Sequence, residues 1–113
     1  MNYKLIALSL IILSGASSCQ KEATVIIKNS IGQSTITEVN FGNYSISEEL
    51  QPGDSVIKVI RERKKDFPIT GQVFFQLVSG GRFANLKTQQ NYSVEEEDEI
   101  KITLTDNTEV RNR

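Results

Sequence analysis

The sequence predicts an all-β fold, a small antiparallel β-sandwich of about seven strands. Three observations carry the prediction. Short β-branched runs recur along the chain, turn residues separate them at roughly 8–12-residue intervals, and there is no 3.6-period apolar stripe long enough for a helix. Thr24-Val25-Ile26-Ile27-Lys28 is the first run, and Asn29-Ser30-Ile31-Gly32 ends it in a turn. Thr35 to Phe41 alternates apart from a slip between Ile36 and Val39, which predicts a bulge, and Gly42-Asn43 turns the chain. Tyr44, Ile46 and Leu50 mark the next strand. Gln51-Pro52-Gly53-Asp54 then has the form of a type II turn, with Pro presetting φ and Gly accepting a positive φ.

Ser55 to Arg61 is a further β-branched run. A polar break follows from Arg61 to Asp66, and Phe67-Pro68 discourages helix beyond it. Gln72 to Val78 is the most apolar stretch after residue 19 and reads as a central strand. Ser79-Gly80-Gly81-Arg82 is a hairpin turn, since paired glycines accept the angles of the primed turns. Phe83 to Thr88 returns, Tyr92 and Val94 make a short piece, and Ile100, Ile102 and Leu104 form the apolar face of the last strand. An open two-layer sandwich of Ig-like or transthyretin-like type accommodates this order.

Composition narrows the chemistry. Thirteen Lys and Arg oppose fourteen Asp and Glu, His is absent, and Cys19 is the only cysteine. The commonest general base and metal ligand is therefore missing, and neither a disulfide nor a Cys-based zinc site can form within the chain. Nucleophilic catalysis needs a base beside the nucleophile, and the absence of His removes the commonest one. The expectation is a protein that is not an enzyme and uses no cofactor and no metal. A net charge of -1 gives no bulk attraction to nucleic acid, which is not an expected partner.

The amino terminus is a targeting segment. Lys4 precedes an apolar run from Leu5 to Leu13 broken only by Ser9, and Ser14-Gly15-Ala16-Ser17-Ser18 is a small-residue region. These are the three parts of a secretory signal, and the run is too short to span a bilayer core, which takes roughly 20 residues. Ala16-Ser17-Ser18-Cys19 resembles the lipobox of small bacterial lipoproteins of Bacteroidota type, with Ala16 where Leu is usual. The resemblance implies cleavage after residue 18 by signal peptidase II and lipidation of Cys19, including palmitate-type acylation. Gln20-Lys21-Glu22 is similar to the export signal that carries such lipoproteins to the cell surface, although Ala23 and Thr24 depart from its acidic continuation. The expected organisation is a signal peptide over 1–18, lipidated Cys19 with a short tether over 19–22, and a β-sandwich domain over 23–113. A tether of that length keeps the domain within roughly 18 Å of the membrane. The expected location is the outer membrane, facing either the cell surface or the periplasm.

Several groups are candidate contact sites. Arg61, Arg63, Lys64 and Lys65 form a basic cluster suited to a charged partner or lipid headgroups, diluted by Glu62 and Asp66. Glu95 to Glu99 is a run of five carboxylates without the spacing that wraps a loop around calcium. The two patches together predict a dipole across the domain. Asp54-Ser55-Val56 resembles a short O-glycosylation motif of Bacteroidota periplasmic proteins, which implies a glycan on Ser55. Tyr44, Phe67, Phe74, Phe75, Phe83 and Tyr92 offer a sugar-binding platform where they lie outward; adjacent Phe74 and Phe75 must point to opposite faces. The functional expectation is a membrane-anchored, non-enzymatic binding module for a protein or glycan. The alternatives are an accessory subunit of an outer-membrane complex, completed by strand addition, and an inhibitor or immunity-type lipoprotein.

Overall fold

The computed structural model describes residues 19–113, and β-structure begins at Gln20. The expected signal peptide, residues 1–18, lies outside the described residues. Ten strands occur among the described residues: β1 Gln20–Ser30, β2 Thr35–Phe41, β3 Tyr44–Leu50, β4 Ser55–Arg63, β5 Ile69–Gly71, β6 Val73–Ser79, β7 Arg82–Thr88, β8 Tyr92–Val94, β9 Glu99–Thr105 and β10 Val110–Asn112. A 3-10 turn, Lys64–Asp66, lies between β4 and β5.

The strands form a three-stranded sheet in the order β4-β1-β9, a five-stranded sheet in the order β10-β7-β6-β2-β3, and a two-stranded ribbon of β5 and β8. The fold is a small all-β sandwich. β6 lies at the centre of the larger sheet, as its apolar sequence predicts. One pairing departs from an antiparallel scheme: β1 and β9 run parallel, from Thr24 beside Glu99 to Ser30 beside Thr105. A parallel pair needs a crossover connection, and here β2 to β8 all lie between the two strands in the chain.

The core follows from alternation. Ala23, Val25 and Ile27 on β1, Ile60 on β4, and Ile102 and Leu104 on β9 pack with residues of the larger sheet: Ile36, Val39 and Phe41 on β2, Ile46 and Leu50 on β3, and Val73 and Phe75 on β6. Each fully buried side chain of this size contributes about 1.5–3 kcal/mol. Ile69 of β5 and Val94 of β8 extend the same core. The slip in β2 is a bulge: the register shifts between Thr37 and Asn40 against β6 and between Val39 and Asn40 against β3, and Glu38 takes a φ of 50°. Pro52-Gly53 turns as expected, with Gly53 at a φ of 89° and Asp54 N donating to Gln51 O at 3.0 Å. Gly80 and Gly81 both take positive φ, which lets Ser79 pair directly with Arg82.

The boundaries differ from expectation at four places. β1 begins at Gln20, so Gln20, Lys21 and Glu22 pair with Arg63, Glu62 and Arg61 where the sequence reading had placed a tether. β4 continues to Arg63 because these same residues complete its ladder. β5 and β10, each three residues long, were not anticipated; with them and the short β8, the seven longer strands become ten. β5 passes so near the β2–β3 turn that a Cβ on Gly71 would come within 2.9 Å of the Gly42 backbone.

Two buried polar side chains hold turns against the core. Asn29, fully buried, donates through Nδ2 to Ser34 O at 2.9 Å and to Leu50 O at 3.0 Å, and accepts through Oδ1 from Ile31 N at 3.1 Å. Its backbone N–H donates to Asp54 O, and its carbonyl accepts from Gly53 N. Thr88 Oγ1 accepts from Val73 N and donates to Gln90 O, both at 3.0 Å.

Replacing Asn29 by Ala leaves two carbonyls and one N–H without their partner, a loss of about 2–4 kcal/mol. Chemical denaturation reads this as a lowered midpoint, and a midpoint within about 0.5 kcal/mol of the wild type would contradict it. A second expectation concerns alkaline pH. Burial raises Tyr44 above the ordinary tyrosine range, reinforced by its hydrogen bond to Glu62 and the charges of Glu62 and Asp66. Burial alone raises Tyr92. Both favour the protonated form in the folded state, so their contribution is complete below about pH 10 and is lost as pH rises through the raised values. The unfolding midpoint of the wild type should therefore fall more steeply above about pH 10 than that of Tyr92→Phe; equal slopes would refute the assignment.

Candidate functional site

Cys19 is exposed and stands directly before β1. The register brings the expected site residues to this end of the smaller sheet. Arg61 Nε lies 2.9 Å from Glu22 Oε1, and Lys21 Nζ lies 3.3 Å from Glu97 Oε1. Lys64 Nζ is 4.0 Å from Glu96 Oε1, and Arg63 Nε is 3.5 Å from Asp66 Oδ2. The acidic and basic runs, some thirty residues apart in sequence, therefore meet beside Cys19. The expected dipole across the domain is corrected on this point: the two runs lie at the same end of the smaller sheet, joined directly by Lys64–Glu96 and each paired to β1 through Glu22 or Lys21. Lys65 is exposed and makes no ion pair among the described residues. Ser55, the candidate glycosylation position, is exposed at the other end of β4. Among the described residues no group of three or more His, Cys, Asp or Glu is placed to hold a metal, and no helix is long and apolar enough to cross a membrane.

A second site is the outer face of the five-stranded sheet. Phe75 is buried, so alternation along β6 turns Phe74, Gln76 and Val78 outward. Their cross-strand partners on β7 are Lys87, Asn85 and Phe83. On β2 the outward neighbours are Asn40, Thr37 and Thr35. A hydrogen-bonded row crosses this face: Thr37 Oγ1 donates to Gln76 Oε1 at 2.9 Å, and Gln76 Nε2 donates to Asn85 Oδ1 at 3.3 Å. β10 adds Arg111 beside Lys87, and the Arg113 guanidinium sits 5.7 Å above the centre of the Phe74 ring. Phe83, near the hairpin tip, is 69% exposed.

Charge is divided across this face. Lys87 and Arg111 occupy the β7–β10 half, Glu38, Glu48 and Glu49 belong to the β2–β3 half, and the Arg113 side chain reaches over Phe74 between them; none of the three cations forms an ion pair among the described residues. An open depression between the halves is lined by Glu38, Asn40, Ser45, Ser47, Glu48 and Arg113. Another, lined by Leu77, Ser79, Arg82, Phe83 and Ala84, lies at the β6–β7 hairpin tip, mostly among residues that alternate with the outward ones and so on the opposite side of the sheet.

The sequence reading named Phe74 and Phe83 as platform aromatics but passed over Lys87, Arg111 and Arg113. A usable signal was present: no acidic residue occurs from Phe67 to Val94. No protein-family model, no curated protein and no solved structure matches the chain at a significant level.

The ion pairs beside Cys19 are solvent-exposed, and such pairs are worth about 0–1 kcal/mol. Changing Lys64 and Lys65 together to Glu should shift the denaturation midpoint by no more than about 1 kcal/mol. A larger loss would show that this end of the sheet is structurally essential.

Proposed function

We propose that the chain is a lipid-anchored lipoprotein of the cell envelope, held at the outer membrane through Cys19, and that its sandwich is a non-enzymatic binding module for a protein or glycan. The open, polar and aromatic outer face of the five-stranded sheet carries the binding reading, because it offers hydrogen-bonding groups, two phenylalanines and cations on strands whose other side is the core. Two observations support the anchoring part: the signal-like segment ahead of Cys19, and the exposure of Cys19 at the rim of the fold.

A second reading, an accessory subunit completed by strand addition, has its own observation. β4 is paired only with β1, and its Ile57 and Val59 are 67% and 41% exposed. A strand edge with apolar side chains is a template for pairing with another chain.

Labelled palmitate fed to expressing cells should enter the wild-type protein and not Cys19→Ala, and the variant should leave the membrane fraction. Labelling of Cys19→Ala at the wild-type level would overturn the anchoring assignment. Protease treatment of intact and lysed cells, with an epitope after Arg113, then separates the two faces of the membrane. Cleavage in intact cells that is lost when Gln20, Lys21 and Glu22 are all changed to Ala assigns the domain to the surface, whereas cleavage only after lysis assigns it to the periplasm.

A further inference from the structure

We infer that the β6-β7-β10 part of the outer sheet face binds an anionic glycan, a polysaccharide bearing carboxylate or sulfate groups. The inference rests on the binding-module reading and specifies its ligand.

Charge comes first. Lys87 and Arg111 are cross-strand partners on β7 and β10, Arg113 follows β10 with its guanidinium over Phe74, and none of the three has an ion-pair partner among the described residues. Glu109 lies one row beyond Arg111, level with Gln89. The carboxylates of Glu38, Glu48 and Glu49 lie on the other half of the sheet, so a polyanion laid across all five strands meets repulsion. One laid along β7 from Phe83 to Lys87 stops short of Glu109 and does not. The arrangement therefore selects both the charge of the ligand and its direction.

The neutral groups select a sugar over an acidic peptide. Phe83, Asn85 and Lys87 occupy alternate positions on one side of β7, about 7 Å apart, with β10 about 5 Å to the side. An exposed phenyl ring matches the flat C–H face of a pyranose. Asn85 accepts from Gln76 through Oδ1, and its two Nδ2 hydrogens have no partner among the described residues; an amide so placed is suited to ring hydroxyls. The depression bordered by Glu38, Asn40, Ser45, Ser47, Glu48 and Arg113 is open and lined by polar side chains, so it offers no apolar socket for a peptide side chain. Exposing a phenylalanine to water is unfavourable, and a sugar face laid on it removes that area from solvent.

The test uses the full chain, purified in detergent, and three probes: polygalacturonate, neutral dextran and polyglutamate. Polygalacturonate should bind, with affinity falling as salt rises, while dextran and polyglutamate bind at least tenfold more weakly. Lys87→Gln and Arg111→Gln should each weaken binding about two- to fivefold, the range of an exposed ion pair. Phe83→Ala should weaken it about threefold or more through lost apolar contact. Arg61→Gln, at the opposite sheet and beside Cys19, should leave it unchanged. The three face variants lie on two strands and are checked for native circular dichroism, so misfolding of one leaves the others decisive. No binding of polygalacturonate overturns the inference, as does polyglutamate binding of equal strength, which would assign the face to acidic protein partners. Undiminished binding by both Lys87→Gln and Arg111→Gln overturns it as well. Cys19→Ala should bind polygalacturonate as the wild type does, so the glycan assignment and the membrane anchor fail or stand separately.

Discussion

The amide of Asn29 is the constraint on which the two layers of the sandwich depend. β1 is the central strand of the smaller sheet, and its last inward position must send the chain across to the larger sheet. An apolar residue there would end the core with open carbonyls at Ser34 and Leu50. Asn29 closes both and also receives the Ile31 N–H, so one side chain fixes the crossing and the end of β3. Its backbone groups hold the Pro52-Gly53 turn in the same way. In the low dielectric of the interior such a network is strong when complete and costly when any member is missing. This explains how a small domain without disulfides secures its layer geometry.

Much of the fold was legible because strand alternation is a local property. The bulge at Glu38, the turns at Gly53 and at Gly80-Gly81, and the central place of β6 are each encoded within a few residues. β5 and β10 were hidden because each has a single apolar position, Ile69 or Val110, and so no alternation, whereas the equally short β8 alternates Tyr92 and Val94. The parallel β1–β9 pair is a long-range event and leaves no mark on either segment. Asn29 shows the same division: it marked a turn correctly, while its burial and its partners twenty residues away did not show.

The candidate site divides along similar lines. Both charged runs were visible, yet their meeting at one rim depends on β1 pairing with β4 on one side and β9 on the other, which brings Arg61 to Glu22 and Glu97 to Lys21. The outer-face cations were harder to see because Lys87, Arg111 and Arg113 are scattered over 27 positions of sequence. Only the β7–β10 ladder joins them. Phe74 was predicted to be one of an inward and outward pair, and the structure gives Phe75 the core and Phe74 the guanidinium of Arg113.

The start of β1 at Gln20 has a mechanical consequence. With no slack between Cys19 and the sheet, a pull applied at Cys19 runs straight along the middle strand, which is flanked on one side by β4 from Gln20 to Lys28 and on the other by β9 from Thr24 to Ser30. Ladder hydrogen bonds lie across the strand direction, so the load falls on both ladders in shear. They must yield together and cannot unzip one bond at a time. Were the domain held at Cys19, its first strand would resist detachment under load, and the load would pass to that point without stretching the fold.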